Sequence, residues 1–211
     1  MDVAGTRDAL SESTKKNGVD ISKFKFDEEM RKRHREKLGI DKETIAMAVV
    51  GDMNYQKNPM FICDVMKYLE DKYKLFFIGD GPCRKKVENY VIQNRLSGKV
   101  VFLGRRNVSE LLNAMDVFVM PSRFEGLPVS GVEAQTNGLP CLFASTITKQ
   151  AGILNTACFV DIESPKKWAD AIKHIKLSVN NRDTAARLVK ENGFDIHDTA
   201  ECLYRVYRSC V

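Results

Sequence analysis

The feature that most constrains the fold of this chain is a regular alternation of short apolar runs with longer segments of helical character. The runs have the composition of buried strands, and most end at a glycine, a proline or a polar residue. Six such runs are present: Ile45–Val50, Leu75–Ile78, Val100–Leu103, Val117–Met120, Pro140–Phe143 and Ala157–Val160. Strands that alternate with helices are typical of βαβ units. The sequence therefore predicts an α/β fold, a Rossmann-like parallel sheet flanked by helices.

Prolines and glycines indicate where the helices begin and end. Asn58 and Pro59 suit the start of a helix after the first run. Pro128 is predicted to lie in the first turn of another helix, which runs to about Asn137 and ends at Gly138. Ligands of open parallel sheets bind at the carboxyl ends of the strands. The loops that follow the first four strands are therefore the predicted binding region.

Several segments outside the predicted sheet also carry expectations. Residues 1–17 are expected to be a flexible lead-in and residues 18–211 a domain that includes the C-terminal helices. The polar segment after the fifth strand, residues 145–152, is expected to be flexible. The last predicted helix carries an apolar stripe formed by Ala200, Leu203 and Tyr207.

A dense run of charges, RKRHREK, lies within a helix predicted over Phe26–Leu38, with Asp27 as its cap. Because no clear apolar face is visible, we expect a solvated surface helix. The alternative is a peripheral contact with acidic lipids or with a partner.

Composition excludes several classes of protein. The 211 residues carry a net charge of +5 without a basic patch interleaved with aromatics, so nucleic-acid binding is not expected. The six cysteines contain no Cys-x-x-Cys pair, which argues against a zinc site and favours a reducing cytoplasm. No signal peptide and no apolar run of membrane-spanning length is visible. We therefore expect a cytoplasmic location, with the inner face of a membrane as an alternative.

The central stretch FVMPSRFEGLPVSGVEAQTNGLPCLF, Phe118–Phe143, reads as strand, loop, helix and strand. Glu125 precedes the helix and Glu133 lies inside it, while Gly126 removes a side chain between them. The first N–H groups of a helix bind anions, helped by the helix dipole. An anion site with one carboxylate at its mouth and a second one deeper suits a ligand that has both phosphates and hydroxyls, such as a nucleotide-sugar.

The spacing of these two glutamates around Glu-Gly-Leu-Pro resembles the signature of retaining GT-B glycosyltransferases. It is most similar to the family 4-like enzymes, glycosyl transferases group 1, that build capsules and exopolysaccharides. The resemblance covers about Gly18 to Val211. It implies the C-terminal, donor-binding domain of such an enzyme, one half of a GT-B fold.

The resemblance also implies roles for individual residues. Glu125 would contact hydroxyls of the donor sugar and Glu133 those of the ribose, while Lys57 and the N–H groups at the helix start would neutralise the leaving diphosphate. Glu125 and Lys57 are the implied catalytic residues, and no metal or other cofactor is expected. The implied donor-binding residues are Gly51, Lys57, Gly79, Gly81, Arg105, Glu125, Gly126, Leu127, Pro128, Val129 and Glu133.

Asp52 departs from the pattern of the family, which implies an arginine there. A carboxylate beside a diphosphate repels it, so Asp52 is expected to weaken donor binding. The glycines at Gly79 and Gly81 invite comparison with a dinucleotide fingerprint, but Arg84 stands where the third glycine would be, and a nicotinamide site is not favoured.

The resemblance further implies an acceptor-binding domain that 17 leading residues are too short to form. We therefore expect transfer of a sugar from a nucleoside-diphosphate sugar to a polysaccharide or glycolipid acceptor, with a separate acceptor-domain protein acting in trans. Two alternatives stay open: an inactive remnant or a regulatory subunit that binds nucleotide-sugar, and a sugar-nucleotide epimerase of the same fold class.

Overall fold

The computed structural model describes residues 18–177 and 182–209. The predicted lead-in, residues 1–17, lies outside this range. Six strands form one sheet: β1 Ile45–Val50, β2 Tyr73–Ile78, β3 Val100–Gly104, β4 Val117–Met120, β5 Cys141–Ala144 and β6 Ala157–Val160. The order across the sheet is β3-β2-β1-β4-β5-β6 and every neighbouring pair is parallel. The predicted Rossmann-like fold is confirmed.

Helices connect the strands and cover both faces of the sheet. They are α1 Ile21–Phe24, α2 Glu28–Lys37, α3 Pro59–Met66, α4 Arg84–Gln93, α5 Val108–Ala114, α6 Val129–Thr136, α7 Pro165–Lys173, α8 Ala185–Glu191 and α9 Ile196–Ser209. Short 3-10 turns occupy Lys149–Ala151 and Arg182–Thr184. The strand order reverses between β1 and β4, which is the point where such sheets bind ligands.

The core is the sheet itself, because strands covered on both faces are apolar throughout. The side chains of β1, β2, β4 and β5 are almost completely buried. Phe118 and Phe143 pack edge to face between β4 and β5, and Trp168 of α7 packs in the same way against Phe61 of α3. This rigid sheet fixes the positions of the loops at its carboxyl edge.

The charged helix α2 is solvated over only part of the run predicted to be exposed: Lys32, Arg33, Glu36 and Lys37 are exposed, but one face is not. Arg31 is buried, and Arg31 and Arg35 both pair with Asp116, at 2.6 and 2.9 Å. Arg31 also donates hydrogen bonds to the carbonyls of Asn113 and Met115. The expectation was wrong for these two arginines because most of their partners, the Asp116 carboxylate and backbone carbonyls at the end of α5, lie some 80 residues away, which no local pattern shows.

The last helix forms as predicted, but its apolar stripe does not reach the core. Tyr207 is 71% exposed, and Ala200 and Leu203 are also exposed. The helix pattern was therefore right, while the burial that such a stripe usually indicates is absent among the described residues.

Candidate donor-binding site

Loops that follow β1, β2 and β3 pack against one another at the carboxyl edge of the sheet. The Gly79 N–H donates to the carbonyl of Gly104 at 2.8 Å, which links the second loop to the third. The first and second loops are joined by hydrogen bonds from Met53 N–H to Asp80 and from Cys83 N–H to Met53. The three loops thus form one connected rim above the strands.

Gly79 and Gly81 are required by this close packing. Gly79 has a φ of +141°, and a Cβ there would lie 2.1 Å from the carbonyl oxygen of Gly51. A Cβ on Gly81 would lie 2.6 Å from the backbone of Met53. Loop packing is thus sufficient to explain both glycines, and their donor-binding role stays a prediction.

Lys57 and Glu125 meet at the point where the sheet order reverses. The Lys57 ammonium lies 2.7 Å from Oε1 of Glu125, and the two side chains are only 20% and 11% exposed. That carboxylate oxygen is buried, and among the described residues Lys57 is its one partner. Its negative charge is therefore balanced by the Lys57 ion pair alone, which leaves hydrogen-bonding capacity unused.

The two loops that carry this pair are held together by backbone and side-chain hydrogen bonds. The Arg123 N–H donates to the carbonyl of Gln56 at 2.8 Å, and the Asn58 amide donates to the carbonyl of Pro121 at 3.3 Å. Asn58 adopts a left-handed conformation, and its side chain makes no cap bond to α3. The sequence correctly placed Asn58 before the helix, but its side chain joins the loops instead of capping.

Helix α6 begins beside Glu125 without a side-chain cap. Its first residue is Val129, and Pro128 precedes it in an extended conformation, one residue before the predicted helix position. A Cβ built on Gly126 meets nothing within 4 Å, so open space adjoins the loop there. Leu127 packs against the core and Val129 is exposed. This helix start has the features of an anion site.

Glu133 lies one turn further along α6 and is partly buried. Burial raises the pKa of this carboxyl, while the nearby Lys23 ammonium on α1 opposes the shift. Within the described part of the chain its carboxylate makes no hydrogen bond or ion pair. Glu125 and Glu133 are thus two carboxylates with free acceptor capacity on either side of one helix start.

Asp52 and Arg105 stand at the outer rim. Arg105 Nη2 lies 4.0 Å from Asp52 Oδ1, and the two side chains are 81% and 64% exposed. The pair joins the loops after β1 and β3 only loosely, since an exposed pair at this distance contributes little. Gly51, just before Asp52, has a φ of +127°, and a Cβ there would lie 3.1 Å from the Lys57 side chain.

The segment after β5, predicted to be flexible, is packed against the site. Ile147 is buried and forms a parallel bridge with Glu125, and the Thr146 hydroxyl donates to the carbonyl of Ser122 at 2.9 Å. The buried Gln135 amide of α6 donates to the carbonyl of Ala151 at 2.7 Å and accepts from the two N–H groups that directly follow the segment, at 2.8 and 3.0 Å. The sequence signal that could have predicted this packing is an isolated apolar residue, such as Ile147, within the polar segment.

Neither a metal-ligand cluster nor a membrane-spanning helix is present among the described residues. No group of three or more histidine, cysteine, aspartate or glutamate side chains in residues 18–177 and 182–209 is arranged to hold a metal ion. The helices in these ranges are all too short or too polar to cross a membrane.

Residues 30–193 match the family model described as glycosyl transferases group 1. The chain belongs to this family. It is 32% identical over 202 residues to the UDP-Gal:alpha-D-GlcNAc-diphosphoundecaprenol alpha-1,3-galactosyltransferase of Escherichia coli. This match covers 90% of this chain and 52% of that protein. It is 29% identical over 198 residues to the EpsF protein of Bacillus subtilis, with the same coverage. The chain thus spans about half the length of these relatives.

Solved structures share the fold. HepE of Anabaena in complex with UDP superimposes with a TM-score of 0.78 at 18% identity, over 91% of this chain and 56% of that one. The C-terminal domain of LpcC from Francisella tularensis gives a TM-score of 0.68 at 19% identity, and the match covers 85% of this chain and the whole of that domain. The fold is accordingly one Rossmann-like half of a GT-B glycosyltransferase.

Proposed function

We propose that this chain binds a nucleoside-diphosphate sugar at the start of α6 and takes part in the transfer of its sugar, with retention of configuration, to a polysaccharide or glycolipid acceptor. The observation that carries the proposal is the buried Glu125 oxygen, which has Lys57 as its one partner among the described residues and lies beside an uncapped helix start. Sugar hydroxyls donate to such a carboxylate, and a diphosphate accepts from the N–H groups of the helix.

Each side chain then has a distinct task. Glu125 binds hydroxyls of the donor sugar, and Glu133 binds those of the ribose. Lys57 and the first N–H groups of α6 stabilise the negative charge that develops when the bond between the sugar and the diphosphate breaks. The name of the E. coli relative specifies a UDP-linked sugar donor, and the Anabaena neighbour was solved with UDP, which supports a nucleotide as the ligand.

The acceptor side is proposed to come from a separate domain outside these 211 residues. Transfer requires an acceptor hydroxyl held against the anomeric carbon of the donor, and such positioning supplies much of the rate. We expect the chain alone to bind donor without transferring its sugar. Sugar transfer should be measurable by chromatography only after an acceptor-domain protein is added. Robust transfer by the chain alone would refute the proposal that the acceptor is bound by a separate domain.

Titration calorimetry tests the donor site directly. We expect a nucleoside diphosphate to bind with a dissociation constant of about 10 µM to 1 mM. Glu133→Ala should weaken this binding because the ribose loses its acceptor, whereas Glu125→Gln should spare the bare nucleotide and weaken the nucleotide-sugar. Glu70→Ala, at the opposite edge of the sheet, is the matched control. No heat with any common nucleoside diphosphate would contradict the proposal.

A second candidate function is a nucleotide-sugar-binding regulatory subunit without transfer activity, and Asp52 favours it. This exposed carboxylate stands where the resemblance implies a cation. Asp52→Arg should tighten diphosphate binding about three- to tenfold, and more at low salt because screening is then weak. Asp71→Arg makes the same charge change at the far edge of the sheet and should have no effect. Unchanged affinity in Asp52→Arg would mean that Asp52 points away from the phosphates.

A further inference from the structure

Two exposed aromatic rings flank the Lys57–Glu125 pair and have no role in the proposed donor site. Tyr55 lies two residues before Lys57 and is 70% exposed, and Phe124 directly precedes Glu125 and is 56% exposed. Burial of a large apolar side chain stabilises a protein, and both exposed rings lack most of that stabilisation. Exposed apolar groups that cluster beside a site indicate a contact surface.

The backbone beneath both rings is fixed. The Gln56 side chain donates to the Phe124 carbonyl at 3.1 Å, and the Arg123 N–H donates to the Gln56 carbonyl at 2.8 Å. The Arg123 guanidinium lies 4.5 Å from the centre of the Tyr55 ring and braces it. The two rings are therefore displayed from loops that are bonded to each other, and ordering them on binding costs little entropy.

The proposed reaction decides what can lie against these rings. The acceptor hydroxyl must reach the anomeric carbon of the donor sugar, which Glu125 holds. Tyr55 and Phe124 are the exposed aromatic side chains within two residues of Lys57 and Glu125 along the chain. A pyranose ring has an apolar C–H face and polar hydroxyl edges. The aromatic rings suit the C–H face, and the neighbouring Gln56 amide and Arg123 guanidinium suit the hydroxyls.

The geometry points to an acceptor subsite in which Tyr55 and Phe124 stack against the sugar ring of a carbohydrate acceptor. This inference rests on the proposed function and extends it, because the donor-binding half then also recognises the acceptor. The ligand class is a neutral or N-acetylated pyranoside, since the faces of the two exposed rings that would stack on it are apolar.

Fluorine NMR of the whole chain labelled with 3-fluorotyrosine tests the subsite. The Tyr55 resonance is the one that disappears in Tyr55→Phe. Methyl glycosides of neutral hexoses and of N-acetylhexosamines are titrated in the presence of UDP, with sorbitol as a polyol that lacks a ring face. Tyr55 should shift saturably with at least one glycoside and not with sorbitol. Tyr207, which is 71% exposed at the other end of the chain, should not shift.

The variants and the UDP titration separate the possible outcomes. Phe124→Ala should weaken the glycoside about two- to tenfold, the range of a lost aromatic contact, while UDP affinity stays unchanged. A chain that fails to bind UDP contradicts the proposed donor site, whatever the glycosides do. A chain that binds UDP but shows no glycoside response at Tyr55, or an equal response to sorbitol, overturns the acceptor subsite alone.

Discussion

Two helix ends of this domain differ in whether side chains satisfy their free backbone groups. At the C-terminal end of α5, four consecutive carbonyls accept hydrogen bonds from arginine side chains that come from two distant segments. The carbonyls are those of Leu112, Asn113, Ala114 and Met115, and the donors are Arg31, Arg35 and Arg182. At the N-terminal end of α6, no side chain caps the first turn, and the preceding residue is a proline.

The difference follows the polarity of the βαβ unit. Helix C-termini lie at the amino edge of the sheet, where carbonyls buried without donors would cost stability, and the chain supplies guanidinium groups. Helix N-termini lie at the carboxyl edge, where α6 leaves N–H groups for an anion. The saturated end has a structural role, and the open end is the one we assign to the ligand.

Removal of a guanidinium from the saturated end should give the largest effect. Arg182 is 3% exposed and donates to the carbonyls of Leu112, Met115 and Asn137, so Arg182→Met removes a charged donor from each of these buried acceptors. Leu112 and Met115 keep weaker or shared bonds, from the Met115 N–H and from Arg31, whereas the Asn137 carbonyl loses its donor. We expect a loss of about 3 kcal/mol in the free energy of unfolding, measured by urea denaturation.

Arg187→Met on α8 is the matched control, because that side chain is 70% exposed and forms an exposed ion pair with Glu191. It should change stability by less than about 0.5 kcal/mol. Equal stability of the two variants would mean that water can replace Arg182, and the contrast between the helix ends would lose its basis.

Two glycines of the site test the same contrast between a position filled by protein and a position left open for a ligand. Gly79→Ala places a Cβ 2.1 Å from a carbonyl oxygen and should cost about 2 kcal/mol of stability. Gly126→Ala meets nothing within 4 Å and should leave stability within about 0.5 kcal/mol of the parent, but should weaken binding of a nucleotide-sugar that fills that space. Thermal unfolding and calorimetry distinguish the two effects. Destabilisation by Gly126→Ala would show that the space beside it is filled by protein.

Most of the fold could be predicted because its signals are local. Buried parallel strands are continuous apolar runs, so Ile45–Val50 and Val117–Met120 were found with their exact bounds. Pro59 and Gly138 marked the start of one helix and the end of another. The carboxyl-edge position of Lys57 and Glu125 followed from chain order alone.

What could not be predicted depends on contacts between distant residues. A run of charges in α2 is compatible with a solvated face, and only the folded chain brings Arg31 to the end of α5. Ile147 is buried beside Glu125, and further along the same loop the Gln135 amide of α6 hydrogen-bonds the backbone of residues 151–154. The contact between Lys57 and Glu125 likewise joins two residues that the sequence placed in one region without pairing them.

Glu133 gives the smallest and most specific test of the open helix end. Burial raises the pKa of its carboxyl above the ordinary value of 4.5. The folded domain therefore binds the proton more tightly than the unfolded chain, so the charged form destabilises the fold at neutral pH. This penalty disappears as the pH falls through the raised pKa.

Glu133→Gln should therefore unfold at a higher urea concentration than the parent protein at about pH 7, and the difference should shrink at about pH 4. Nucleotide binding should weaken in the same variant. Glu163→Gln, at an exposed position, should show no such change. A gain in stability that is the same at both pH values would indicate a packing effect instead of a buried charge, and no gain would place the carboxylate in solvent.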